Sequence, residues 1–278
     1  MIEPVQQDDA LLDDVLRATR ESPQAVHLWW LGQSGYLVRW GERSALLDPY
    51  LSDSLTAKYA ATEKPHVRIS HRVIDPGLLD FVDVVTSSHN HTDHLDSETL
   101  GPILVDSEHD LLCPEANIAF VCDRLKALPS WLTGIDDGVT VGLGGFRFTG
   151  VAAAHDTIER DSAGRCRYLG YVVRTDAFTI YHSGDTVVYD GMAEKVRALG
   201  PIDVAILPIN GKVGNMGGRD AAHLAKAIGA RVVIPCHYDM FEFNTADPYA
   251  EFVPECERIG QPYRVLKLGE RFSSGEIP

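Results

Sequence analysis

The sequence predicts an α/β fold built on mixed β-sheets. Three observations carry this. The chain opens with short apolar strands parted by glycine turns. It then alternates strands with helical stretches, and the same theme of hairpins followed by alternation returns later. The 278 residues are 45% hydrophobic, with no linker, low-complexity segment or internal repeat between them. That is enough apolar material for a large core, and the expectation is one domain over residues 1–278, with residues 1–24 as a helical arm.

The elements follow in order. Asp8 to Arg20 reads as a helix with a stripe of Leu11, Leu12, Val15 and Leu16, acidic residues in its first turns and Pro23 beyond its end. Such an arm packs on the body or on a partner subunit, so a homo-oligomer is among the expectations. Val26–Leu31, Tyr36–Trp40 and Ser44–Leu47 are strands joined through Gly32-Gln33-Ser34-Gly35 and Gly41-Glu42-Arg43, a meander of hairpins closed by Asp48-Pro49-Tyr50. Leu51 to Pro76 reads as a long irregular loop holding Lys58, Tyr59, Lys64, His66, Arg68, His71 and Arg72, the most basic stretch of an acidic chain. Loops of this length in compact domains are usually functional.

Phe81–Thr86 is a strand, Ser97–Val105 a helix and Asp110–Cys113 a strand, and a helix from Pro114 runs to about Leu128. Gly138–Leu143 with Phe146–Ala153, and Tyr168–Arg174 with Ala177–His182, are hairpins. Tyr189–Leu199 is a helix, Val204–Leu207 a strand, and Ala221–Ile228 a helix ended by Gly229. Arg231–Cys236 is a buried-type strand, Pro248–Ile259 a helix, and Tyr263–Leu268 the last strand.

Composition excludes several functions. The net charge of −15 and the lack of a basic stripe argue against a nucleic-acid partner. No apolar run approaches the ~18 residues of a membrane span, and the acidic N-terminus is not a signal peptide. Five cysteines, an odd number without a Cys-x-x-Cys, argue against a disulfide framework or a zinc knuckle, and point to a reduced, cytoplasmic protein.

The densest chemistry is His89-Asn90-His91-Thr92-Asp93-His94, directly after the Phe81–Thr86 strand. Imidazoles and carboxylates are ligands for divalent transition metals. The spacing of two puts His89, His91 and Asp93 to one side of an extended backbone, and His94 breaks that period. One loop can therefore serve two adjacent ions. Three further candidates, His155, Asp185 and His237, each stand near the end of a strand. The bland readings are a polar histidine-rich loop, a His155–Asp156 turn pair and a turn aspartate at Asp185.

This order, His-x-His-x-Asp-His followed by single His, Asp and His, resembles the metallo-β-lactamase fold superfamily over about Val26 to Phe272. Trp29-Trp30-Leu31-Gly32, Tyr181-His182-Ser183-Gly184-Asp185, Val232 to His237 and Ala246-Asp247-Pro248 resemble the L-ascorbate-6-phosphate lactonase-like branch, from which the chain departs by being compact between His155 and Asp185. The resemblance implies an αβ/βα four-layer sandwich. It implies two divalent ions, one on His89, His91 and His155, the other on Asp93, His94 and His237, with Asp185 bridging. Zinc is the default, and manganese or iron is also compatible with an all-nitrogen-and-oxygen ligand set. A hydroxide shared by the ions would be the nucleophile, and Asp93 and Asp185 would be the catalytic carboxylates that hold or relay a proton. The resemblance further implies that Asp48 orients a ligand histidine from beneath; a plain turn role is its alternative.

The resulting expectation is a hydrolase acting on a small anionic ester or lactone. The alternative is a phosphodiesterase for a small or cyclic phosphodiester. Dioxygen chemistry is disfavoured, because His91 stands where oxygen-reducing relatives carry a carboxylate. His71, Arg72 and Lys212 are candidate substrate contacts, with Arg219 another cation near the glycine-rich stretch from Asn210. Tyr238 either donates to a developing oxyanion or packs. Cys236 and His182 read as core residues, His223 as a helix-surface histidine, and His27, His66 and His109 carry no assigned role.

Overall fold

The structure, a computed structural model, describes residues 1–104 and 110–277. Val105 and His109 lie outside the described residues. Helix α1 spans Asp9–Glu21. Strands β1 (Val26–Gly32), β2 (Gly35–Trp40) and β3 (Arg43–Leu47) form the antiparallel meander. Then come α2 (Ser54–Tyr59), β4 (Val84–Thr86), α3 (Ser97–Leu104), β5 (Asp110–Pro114), α4 (Ile118–Leu125) and β6 (Leu132–Ile135). The second half holds β7 (Thr140–Leu143), β8 (Phe146–Ala152), β9 (Leu169–Arg174), β10 (Thr179–His182), α5 (Met192–Ala198), β11 (Val204–Pro208), α6 (Gly218–Ile228), β12 (Val232–Cys236), α7 (Phe252–Ile259) and β13 (Arg271–Ser273).

These strands make two mixed sheets, in the orders β13-β1-β2-β3-β4-β5-β6 and β12-β11-β10-β9-β8-β7. Each begins in chain order with antiparallel hairpins and continues with parallel strands fed by helices. The reason is local. Glycine turns can close only antiparallel pairs, and a parallel neighbour needs a crossover. β1, β11 and β12 are buried along their whole length, as expected of strands covered on both faces. The fold is the two-sheet α/β sandwich of the metallo-β-lactamase type.

Three elements differ from the expectation. Leu51 to Pro76 is not irregular throughout: it contains α2. Arg68 pairs with Phe241 and Ser70 with Ile2, so this crossover is stitched to the chain that follows β12 and to the N-terminal residues. The last strand is Arg271–Ser273, paired with β1, and not Tyr263–Leu268. That segment passes between the sheets, held by Val233 at Pro262 and Arg264 and reaching Trp30 at Gly269, so it never runs along one neighbour. β6 has no counterpart in the sequence reading. It is only four residues long and is interrupted by Gly134, a residue depleted in strands, so it shows no alternating run.

The α1 arm packs on the body through buried Leu11, Val15 and Ala18. Its Asp14 is buried too. Trp29 Nε1 donates to Asp14 Oδ2 at 2.9 Å, Arg271 reaches Oδ1 at 3.1 Å, and Gln6 and Arg17 complete its shell. Burial alone would raise the carboxyl, but these bonds and the Arg271 charge hold it below the usual 3.8. A depressed carboxyl contributes stability that is full above pH 3.8 and is lost as the pH falls through the lowered value. Acid is therefore expected to loosen the arm, seen as a falling thermal midpoint and a change in Trp29 fluorescence. Asp14→Asn should flatten that dependence, and an unchanged slope of midpoint against pH in the variant would refute the assignment.

Candidate metal centre

Every candidate ligand leaves the carboxyl end of a strand. His89 to His94 follow β4, His155 follows β8, Asp185 follows β10 and His237 follows β12. Open α/β sheets place ligands at this edge, and here both sheets contribute to it. His89, His91 and Asp185 form one trio and Asp93, His94 and His237 a second, each with its donor atoms within 4.8 Å of one another. Asp185 faces both. Its Oδ2 is 4.0 Å from His89 Nε2, and its Oδ1 is 3.1 Å from His94 Nε2 and 2.8 Å from His237 Nε2. His155 stands beside the first trio, its ring centroid 4.7 Å from that of His91.

The backs of these rings are held. Asp48 Oδ2 lies 2.7 Å from His94 Nδ1, and Asp48 also accepts from Thr86, from the Ser88 amide and from the Ser88 hydroxyl. Ser88 Oγ is 3.0 Å from His89 Nδ1. Gln33 Nε2 reaches Asp93 Oδ2 at 2.9 Å and His237 Nδ1 at 3.1 Å, while its carbonyl accepts the His237 amide at 3.1 Å. Arg124 donates to the carbonyls of Asn90 (2.7 Å) and Leu95 (3.1 Å), closing both ends of the metal loop from α4. Gln33, Asp48, Val213 and His237 have φ of 51°, 42°, 51° and 63°, a left-handed conformation that costs a non-glycine residue about 1–3 kcal/mol and clusters at functional sites.

The Nε2 atoms of His89, His94, His155 and His237 and the Asp185 Oδ1 are buried, and although His94 and His237 crowd Asp185 Oδ1, none of these atoms makes a hydrogen bond among the described residues. Buried polar atoms are rarely left so. Lone pairs and a carboxylate converging on one point without donors fit a cation, and a donor set of nitrogen and oxygen fits a divalent metal. The electrostatics separate neutral imidazoles from one that carries charge against the carboxylates, a charge that a bound cation would replace. Burial and the nearby His94 hold the His89 imidazole well below its usual range, and burial likewise lowers His91, so both keep a free lone pair. Burial opposes charge on His94, but Asp185, Asp93 and Asp48 hold it well above 6.5. Burial also opposes the Asp185 carboxylate, yet His237 and His94 hold it well below the usual carboxylate range.

His155 is positioned by packing. Tyr168 stacks on its ring, centroids 5.0 Å apart and 17° between planes. On another side lies Gly214 (φ +74°), where a Cβ would come within 2.5 Å of the His155 ring. Gly214→Ala is therefore expected to displace His155, lowering metal affinity by ~10–100-fold, as for other groups that orient ligands. The metal-free fold should lose only about 1–3 kcal/mol. Metal titration and thermal melting of the same preparation separate these effects, and unchanged affinity would refute the packing role.

The expected substrate contacts fare differently. The metal loop floors a cleft of ≈ 330 Å³ whose walls include Leu55, Lys58, Tyr59, Lys64, His66, Arg124, Phe241 and Phe243. His71 and Arg72 do not reach it. They line a separate depression with Thr56 and Ala57, on the other face of α2, where His71 meets Glu3 at 3.2 Å and Arg72 meets Asp75 at 2.8 Å. Tyr238 is buried, stacks on Trp30 at 4.1 Å and donates to the Leu266 carbonyl, so its hydroxyl is turned into the core rather than towards an oxyanion. Lys212 sits beside the cleft, donating to the Phe243 carbonyl at 3.1 Å.

Cys236 is a buried thiol, and His182 is buried with Nε2 3.0 Å from the Ser34 carbonyl. His223 pairs with Glu255 on the surface, and Arg219 lies 4.0 Å from Glu251. The residues missing from the sequence reading of the site are Gln33, Ser88, Arg124, Phe241 and Phe243. The clustering of basic residues in the crossover did mark Lys58, Lys64 and their neighbours. No helix among the described residues is long and apolar enough to cross a membrane.

Comparisons with known proteins show the family. A family profile described as a beta-lactamase superfamily domain matches residues 27–237. The chain is 31% identical over 225 residues to a UPF0173 metal-dependent hydrolase of Methanoregula boonei, covering 80% of this chain and 86% of that one. It is 30% identical over 248 residues to the UPF0173 metal-dependent hydrolase PF1764 of Pyrococcus furiosus, covering 88% and 98%. Among solved structures it shares the fold of Igni18, a metallo hydrolase from Ignicoccus hospitalis, with a TM-score of 0.66, 24% identity and coverage of 90% and 98%. The chain belongs to the beta-lactamase superfamily and, within it, to the UPF0173 metal-dependent hydrolases.

Proposed function

We propose that this enzyme hydrolyses a small anionic ester or lactone with two divalent ions held by His89, His91, His155 and Asp185 on one side and Asp93, His94, His237 and Asp185 on the other. The observation that carries the reading is the convergence of the two trios on one carboxylate, with the Nε2 atoms of His89, His94 and His237 buried and lacking hydrogen bonds. Divalent ions there would supply a Lewis acid and water acidified towards neutral pH; zinc is the default, with manganese and iron also suited to nitrogen and oxygen donors.

The protein's own residues do the rest. Lys58, whose Nζ is 3.4 Å from Thr92 Oγ1, stands directly over the metal loop and attracts an anionic group to it. Lys64 adds a second positive charge on the cleft wall. Asp93 borders the cleft and is steadied by Gln33, so it can take a proton from water or return one to the leaving oxygen.

The test is purification without added metal, elemental analysis, and assay against lactones, carboxylic esters and phosphodiesters. Lactone or ester turnover that disappears in His91→Ala and on chelation, and returns with added metal, is the expected result. Turnover of phosphodiesters alone would transfer the assignment to the phosphodiesterase reading. Lys58→Gln is expected to raise KM by ~10-fold with little change in kcat, the signature of lost uniform binding.

A further inference from the structure

The wall of the cleft opposite the metal loop is rich in apolar side chains, with His66 and Asn244 among them. Leu55 and Tyr59 come from α2, Phe241 and Phe243 from the chain after β12, and Val213 from the glycine-rich stretch after β11. Val213 is unusual in two respects. It is 55% exposed, and it is a β-branched residue at φ 51°, a conformation that such side chains avoid. An exposed, strained valine gains nothing from the fold. It does present an isopropyl group at the cleft, next to the glycine that abuts His155.

Around these side chains stand three lysines. Lys58 lies 5.1 Å from the Tyr59 ring centroid, and Lys64 and Lys212 lie 5.8 Å and 5.9 Å from that of Phe243. No ion pair to any of the three is found among the described residues. In a chain with a net charge of −15, three lysines gathered at one cleft without a carboxylate among them make a local positive field that favours an anion. His66, stacked on Tyr59 at 4.4 Å, and Asn244 add polar atoms to the lining, but the surface that Tyr59, Val213 and Phe243 present between the lysines is apolar, and a flat apolar body would bury area against it.

We propose that the cleft selects an amphiphilic anion: a substrate whose non-reacting part is an aromatic or similarly flat apolar group, seated against Tyr59, Val213 and Phe243, with negative charge met by Lys58 and Lys64. The proposal rests on the hydrolase reading for the identity of the site, but its test does not need turnover. The probes are methylphosphonate, 2-hydroxyethylphosphonate and phenylphosphonate, which carry the same charged group and cannot be hydrolysed as esters. Calorimetry on the metal-loaded protein should find phenylphosphonate bound ~10-fold or more tightly than the other two.

Phe243→Ser should reduce that ratio towards one while leaving methylphosphonate binding intact. Val213→Asn should also lower the ratio, without lowering the thermal midpoint, because asparagine tolerates this backbone. Lys58→Gln and Lys64→Gln should weaken all three probes alike and leave the ratio unchanged. Equal affinity for the three probes, binding of none of them, or a ratio retained in both Phe243→Ser and Val213→Asn would overturn the proposal. Loss of hydrolysis of every ester tested, with the binding preference intact, would sink the hydrolase reading and leave this one standing.

Discussion

Asp185→Asn is expected to abolish metal-dependent turnover, by a factor on the order of 10³ or more, since a Lewis acid contributes several kcal/mol and each 1.36 kcal/mol is tenfold. Asp185 is the one ligand group that faces both trios, with one oxygen towards His89 and the other towards His94 and His237. The amide would keep the volume and remove the charge. Metal binding should fall by more than the ~10–100-fold typical of groups that only orient ligands. The consequence is also visible without substrate. Metal at 100 times its dissociation constant stabilises a protein by about 2.7 kcal/mol, a rise of roughly 5–10 °C in thermal midpoint for a large domain. In Asp185→Asn the same metal concentration should give almost no rise. A variant that still melts higher on adding metal would show that Asp185 does not join the two trios.

The second large effect is expected at Asp48. It is buried, bonded to His94, Thr86 and Ser88, and held below its usual pKa chiefly through His94, against the opposing effect of burial. Asp48→Ala would leave His94 Nδ1 and the Ser88 amide without their acceptor in a dry interior. Breaking a buried charged pair from one side costs about 3–5 kcal/mol, so the metal-free variant should melt well below wild type. Metal affinity should fall ~10–100-fold as the ring loses its orientation. Asp48→Asn separates the two effects. It keeps the packing and an acceptor, but its amide hydrogen faces Nδ1 and drives the His94 proton to Nε2, the atom turned towards the metal. That variant should recover part of the stability and little of the affinity. Full recovery of both would show that Asp48 only fills space.

The candidate ligands could be picked out because each follows a strand that announces itself: β-branched residues before the His89–His94 loop, hairpins before His155 and Asp185, a buried run before His237. Asp48 by its own pattern is a turn residue, and its place beneath His94 followed only from the family resemblance. The hairpin-then-alternation order of both sheets could also be read from glycine placement. What escaped reading depends on contacts distant in sequence. Gln33, between two glycine-flanked hairpin strands, has the pattern of a plain turn, and only the approach of the β1–β2 turn to the residue that follows β12 makes it the link between Asp93 and His237. Arg124 has the spacing of a helix-surface cation, yet its side chain folds under the metal loop. His71 and Arg72 share the basic character of Lys58 and Lys64, but pairing of the intervening residues with Ile2 and Phe241 carries them to the other face of α2. No local pattern shows that reversal.

The short helix Ser54–Tyr59 and the crossover around it furnish one wall of the cleft but none of the metal ligands. On the proposed reading, reactivity and recognition are therefore written in different stretches of chain. Substitutions, or even insertions, between Leu51 and Pro76 can retune which molecules are accepted while the ion-holding apparatus stays untouched. Grafting this stretch between relatives is therefore the economical route to altered selectivity in an enzyme of this design.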